Sequence, residues 1–77
     1  MKELIEFIAK TLVDRPEEVR ITEKKKERLT VLELHVAPGD MGKVIGKQGR
    51  IAKAIRTVLK AHCVKTGVNA VLDIVNN

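Results

Sequence analysis

The sequence predicts a small α+β fold whose elements run α-β-β-α-α-β, with three helices on one face of a three-stranded sheet. Three observations carry that reading. Residues 2–13 and 50–65 repeat their apolar positions at helical spacing, residues 18–23, 29–36 and 70–75 are rich in β-branched side chains, and 77 residues suffice for one hydrophobic core. No repeat, low-complexity tract or linker-like composition interrupts the chain, so residues 1–77 are expected to form a single domain.

In the first helix Leu4, Ile5, Ile8 and Leu12 recur on one side with Phe7 beside them, while Glu3, Glu6 and Lys10 fall opposite; Asp14-Arg15-Pro16 then ends it. Glu18 to Glu23 alternates polar and β-branched residues and reads as a strand. Lys24-Lys25-Lys26-Glu27 reads as a charged turn, a solvated hairpin tip offset by Glu23 and Glu27. The second strand, Leu29 to Val36, places Leu32, Leu34 and Val36 toward the core and Leu29, Val31, Glu33 and His35 on the other face, which makes His35 a surface residue.

Pro38-Gly39 stops that strand, and Asp40 is placed as the N-cap of a short helix over Met41 to Ile45 that Gly46 closes. From Arg50 to Lys65 a longer helix gathers Ile51, Ile55, Val58, Leu59 and His62 on one face and Arg50, Lys53, Arg56 and Lys60 on the other. Gly67 is the expected stop, and Ala70 to Val75 the last strand. The core should contain Leu4, Ile8, Leu12, Ile51, Ile55, Val58 and Leu72.

Charge is distributed unevenly. Residues 1–38 hold eight basic and eight acidic side chains, whereas 39–77 hold seven and two, so the whole formal charge of +5 belongs to the second half. Between Met41 and Thr66 there are seven basic residues and no acidic one. A local cationic surface of this kind, with a pI near 9.7, favours a polyanionic partner. A membrane surface fits poorly, because Phe7 is the only aromatic residue and lies in the neutral half.

One cysteine, Cys63, builds neither a disulfide nor a Cys-rich zinc site, and with no signal peptide and no long apolar run the chain is expected to be soluble and cytoplasmic. The basic half offers only Asp40 and Asp73 as acids, so no carboxylate pair, metal triad or nucleophile–base set can be assembled there. We therefore expect no enzyme, no catalytic residue, no metal and no cofactor. His62 reads as a core or interface histidine and Cys63 as a small, partly buried hydrophobe.

At the centre of the basic segment stands Val44-Ile45-Gly46-Lys47-Gln48-Gly49-Arg50. A Gly-Lys-Gln-Gly turn just before a helix presents backbone N–H groups at the positive end of the helix dipole, and without Cβ atoms a sugar-phosphate chain can approach closely. Lys43, Lys47, Arg50 and Lys53 add charge around it. Nucleotide motifs do not fit. The Walker pattern needs four residues between its glycine and Gly-Lys-Ser/Thr, whereas Gly42 to Gln48 offers three and ends in glutamine; the dinucleotide fingerprint lacks its upstream glycine and preceding strand.

With a short helix before it and a long one after it, Val44 to Ile51 resembles the signature of the KH domain, whose Gly-X-X-Gly loop clamps about four nucleotides of a single strand. The element order resembles the type II topology of that family, over essentially the whole chain, and Gly42 to Arg50 with Ala54-Ile55-Arg56 is most similar to its stand-alone bacterial members. The resemblance implies that Gly46, Lys47, Gln48 and Gly49 grip the backbone of single-stranded RNA, with Arg50 at the mouth of the long helix and Ile45 flooring the groove. It further implies an RNA chaperone that forms a homodimer, or a heterodimer with a larger KH-containing RNA-binding protein, and is linked to cell elongation and wall synthesis.

The scarcity of aromatics agrees with that family, since RRM, OB and cold-shock modules stack bases on aromatic platforms and this chain has none near its basic region. In a KH groove bases lie against aliphatic side chains, which makes Ile45, Leu32, Leu34 and Val36 candidate neighbours. Single-stranded DNA offers the same phosphates. A different class of function is also open: an assembly module docking a protein through Leu29, Val31, Val71 and Val75 on the sheet face away from the helices.

Overall fold

The computed structural model describes residues 1–77 and contains, in order, α1 (Lys2–Leu12), β1 (Arg20–Lys26), β2 (Leu29–Val36), α2 (Met41–Ile45), α3 (Arg50–Thr66) and β3 (Asn69–Asn76). Single 3-10 turns at Pro16–Glu18, Pro38–Asp40 and Lys47–Gly49 join them. The sheet order is β1-β2-β3, with β1 antiparallel to β2 and β3 parallel to it. A parallel neighbour requires a crossover, and α2 and α3 supply it, which puts the loop between those helices at one end of the sheet.

The inner face is set by strand alternation. The register aligns Ile21, Leu34 and Ile74 across the three strands and sets Leu32 beside Leu72. Leu34 and Val36 are fully buried, together with Ile5 of α1 and Val44 of α2, while Ile55 and Leu59 of α3 close the core above β3. Each such side chain removed from water contributes about 1.5–3 kcal/mol against the entropy of ordering the chain. The fold is thus the α+β, α-β-β-α-α-β arrangement that the periodicities imply.

Five sequence expectations change. In α1 the buried stripe is Ile5, Ala9 and Val13, whereas Leu4 is 45% exposed and Phe7 68% exposed. Apolar residues cover more than half of this helix's circumference, so periodicity leaves its phase open, and Ala9 lets the stripe carrying it approach the sheet closely. In α3 the buried positions are Ala52, Ile55 and Leu59; Val58 lies off that line and is 47% exposed. Ile8, Leu12 and Ile51 are half-buried at the margin.

The lysine run is not a hairpin tip. β1 continues through Lys26, which pairs with Leu29, leaving a two-residue turn at Glu27-Arg28 in which Glu27 takes φ +52°. An edge strand tolerates such charge, because its side chains reach water from either face. Lys24 pairs with Glu33 across the outer face at 3.4 Å. His35, beside it, is more enclosed than a surface strand residue should be: its Nε2 has no hydrogen-bond partner and lies 3.8 Å from Glu33 Oε1.

Asp40 does not cap α2. No side chain caps that helix, and the Asp40 carboxylate turns back toward α1, accepting the N–H of Asp14 at 3.2 Å and of Arg15 at 3.0 Å. The Pro38–Asp40 turn runs directly into Met41, which leaves the aspartate in helical rather than extended backbone and takes its side chain off the cap.

Candidate nucleic-acid interface

Gly46 to Gly49 form a turn closed on itself. Gly46 N–H returns to Gly42 O at 2.9 Å, ending α2, and Gly49 N–H returns to Gly46 O at 3.0 Å. The glycines are dictated by backbone geometry. Gly46 adopts φ +80°, ψ 171°, a region open to glycine alone, and a Cβ there would meet Ile51 Cγ1 at 2.6 Å. Gly49 is left-handed at φ +73°, with free space around it. Gln48 between them is also left-handed at φ +58°, and its Oε1 accepts a hydrogen bond from the Arg50 guanidinium at 3.1 Å.

No side chain caps the N-terminus of α3. The first two amides of the 47–49 turn, those of Lys47 and Gln48, have no partner within a 3-10 turn, and they stand at the positive end of a helix of 17 residues. Lys47, Gln48 and Arg50 are exposed around them, Lys53 is exposed one turn along α3, and Ile45 is half-buried just behind. None of Lys47, Arg50, Lys53, Arg56, Lys60 or Lys65 forms an ion pair, whereas carboxylates hold Lys10, Arg15, Lys24 and Lys43. Lys2, Arg20, Lys25, Lys26 and Arg28 are likewise unpaired, but they share the first half of the chain with eight carboxylates, whereas α3 and the loop before it carry six cations and no acid.

Lys43 belongs elsewhere. Its ammonium is hydrogen-bonded to Asp14 and sits 3.8 Å from Asp40 Oδ1, on the side of α2 that faces α1. The Asp14 hydrogen bond raises its pKa above the usual 10.5 against an opposing desolvation, and the charges of Asp14 and Asp40 add to the rise. A raised lysine stabilises the fold fully below 10.5 and loses that contribution only as the pH climbs through the higher folded value, so the pair is intact throughout the neutral range.

Sequence reasoning missed a groove. β3 is an edge strand, bonded only to β2, and between its free edge and α3 lies a hollow of about 600 Å³ lined mostly by apolar side chains, among them Leu59, Val64, Ala70 and Val71. Arg56 and Lys60 stand along it, and Arg56 Nε reaches Leu72 O of the strand edge at 3.4 Å. Its signal was the run Arg56 to Lys60 on α3, but recognising it requires knowing that β3 is outermost. Leu32, Leu34 and Val36, expected as neighbours of bases, are buried in the core beneath it and are not accessible. Cys63 lines the groove with its thiol directed to Ala70 O at 3.7 Å, and His62 is half-buried nearby. No cluster of His, Cys, Asp and Glu is arranged to hold a metal ion, and no helix is long and apolar enough to cross a membrane.

Comparison with known proteins places this geometry. The family described as "KhpA/KhpB, KH domain" matches residues 2–74. The chain is 60% identical over 75 residues to the RNA-binding protein KhpA of Clostridium perfringens, covering 97% of this chain and 100% of that protein. It is 61% identical over 75 residues to the KhpA of Clostridium acetobutylicum, with the same coverage, and 51% identical over 74 residues to that of Aquifex aeolicus, covering 96% of this chain and 94% of that one. No solved structure matches significantly. A crossover of two helices around a Gly-Lys-Gln-Gly turn, together with relatives matched over nearly their whole length, makes the chain a member of the KhpA/KhpB KH-domain family.

Proposed function

We propose that this chain binds single-stranded RNA as one domain spanning residues 1–77, holding the phosphate backbone on the loop Gly46-Lys47-Gln48-Gly49 and laying bases along the groove between α3 and β3. One observation carries the reading most: a self-closed glycine turn at an uncapped helix N-terminus, surrounded by cations that no carboxylate neutralises. Amides and the helix dipole favour an anion there, and Lys47, Arg50 and Lys53, all exposed, supply charge beside them. Ile45 and the aliphatic groove wall offer bases a sequence-tolerant surface. The relatives' name, RNA-binding protein KhpA, supports the polymer.

Lys43 is left out of the contact set, because its charge is already engaged. No step of chemistry is involved; the protein acts in the cytoplasm by holding strands and altering their pairing, as an RNA chaperone, and the family resemblance connects that action to cell elongation and wall synthesis. Single-stranded DNA would meet the same phosphates and differ only at the 2′-hydroxyls.

A second reading has its own support. Val58, Val64, Leu29 and Val71 are exposed on α3 and the sheet, more apolar surface than an isolated domain of this size requires, and they suit self-association or pairing with a larger KH protein. Sedimentation velocity with and without a labelled single-stranded RNA separates the two. The RNA is expected to travel with the protein, more firmly where two copies combine and raise the effective concentration of loops. Protein that self-associates while the RNA sediments free would leave assembly as the function.

A further inference from the structure

α2 is a single helical turn of five residues, too short to hold its own geometry, yet the loop that follows is aimed by it. Two anchors flank it. Beyond the loop, Ile51 packs into the space where Gly46 lacks a Cβ. Ahead of α2 stands Asp40, the one charged residue that is buried, 3% exposed. Its oxygens take the backbone N–H groups of Asp14 and Arg15, residues that are 26 and 25 positions away, and Lys43 bridges it to the Asp14 side chain. A buried carboxylate is tolerated only when it is hydrogen-bonded and paired, and here every partner but Lys43 comes from the segment after α1.

We infer that Asp40 and Lys43 are positioning residues for the loop: by tying α2 to the end of α1 they fix the roll of that one turn, and so the direction in which the Gly46–Gly49 amides face. Neither touches RNA. The inference rests on the reading that this loop holds the phosphate backbone, and it assigns a role to Lys43 opposite to the direct contact its place in the basic segment suggests. A positioning residue changes affinity without changing how many phosphates are neutralised. The salt dependence of binding reports that number, at about −0.7 in log–log slope per phosphate on a single strand.

The test titrates a short single-stranded RNA into the full chain and its variants at several salt concentrations, with thermal unfolding on the same samples. The parent slope is expected at roughly −2 to −3, for three to four phosphates. Lys43→Met keeps the aliphatic stem and should weaken binding roughly three- to tenfold, the size of a partly screened charge coupling, at an unchanged slope. Lys43→Arg, which can still bridge two carboxylates, should restore it. Asp40→Asn, which turns an amide NH₂ toward a backbone donor, should lose more at the same slope; if it fails to fold, Lys43→Met carries the test. A Lys43→Met slope shallower by about 0.7 would make Lys43 a phosphate contact and overturn the inference. So would parent-like affinity accompanied only by a lower unfolding temperature. Lys47→Ala separates the two levels: if it loses binding and slope while Lys43→Met loses neither, the positioning role alone fails, and if Lys47→Ala binds as the parent does, the loop reading fails and takes this inference with it.

Discussion

Changing Lys47 and Gln48 together to Asp is expected to abolish RNA binding in practical terms while leaving the fold intact. Both positions are exposed, both glycines stay, and aspartate accepts the left-handed backbone that Gln48 adopts at φ +58°. An aspartate at 48 can still receive the Arg50 guanidinium that now donates to Gln48. Exposed substitutions of this kind shift stability by about 0.5 kcal/mol or less. Binding should suffer far more, because one neutralised phosphate is lost and two carboxylates stand against the backbone in its place; a loss on the order of a hundredfold corresponds to about 2.7 kcal/mol. Lys26→Asp on the hairpin, a charge reversal far from the loop, should bind within about twofold of the parent at physiological salt, where the Debye length is about 8 Å. Equal losses for the two variants would mean that net charge, and not this loop, sets the affinity.

The second large effect is on stability and belongs to Gly46. Its backbone lies where other residues essentially do not go, and an added Cβ would press on Ile51 at 2.6 to 2.9 Å. Gly46→Ala should therefore cost roughly 1–3 kcal/mol for the backbone alone, with the displacement of Ile51 added. In a domain of this size each kcal/mol moves the unfolding temperature by about 4–8 °C, so a fall of ten degrees or more is expected. Gly49→Ala, left-handed but with open space around it, should cost about 1–2 kcal/mol. Gly42→Ala, inside α2 with nothing near its missing Cβ and ordinary helical backbone, should be neutral or stabilising by up to about 1 kcal/mol. Three equal melting curves would show that the turn is not held in the conformation described.

What was legible in the sequence is what local rules decide. Strand alternation places Leu32, Leu34 and Val36 inside because period two admits only two answers, and a charged residue at 33 selects between them. The loop was legible because its signals are local in sequence: two glycines three residues apart, a helix that starts directly after them and a run of one sign of charge around both. The phase of α1 was not, because Leu4, Ile5, Phe7, Ile8 and Leu12 offer more apolar arc than the sheet can cover, and only tertiary contact chooses Ile5-Ala9-Val13. Residue type likewise pointed Lys24 to Lys26 toward a turn, while the pairing of Lys26 with Leu29 extends the strand past them.

The long-range parts were hidden altogether. Asp40 before a helix reads as a cap in any local frame, and its actual partners, the amides of Asp14 and Arg15, could be found only by folding the chain. Lys43 shares a short segment with Lys47 and Arg50, yet its ammonium is held by Asp14 just after α1. The groove depends on β3 being an edge strand beside β2, which follows from a parallel crossover and not from the composition of any one element.

The central claim is that the Gly46–Gly49 turn meets the phosphate backbone and the α3–β3 groove meets the bases. Backbone amide chemical shifts of the full chain during titration with a short single-stranded RNA test it residue by residue. The largest changes should fall on Gly46 to Arg50, followed by Lys53, Arg56 and Lys60 on α3 and Ala70 to Leu72 on the strand edge, while the outer sheet face around Glu33 and His35 stays still. Changes centred on that outer face or on the exposed side of α1, with the glycine turn unmoved, would contradict the account.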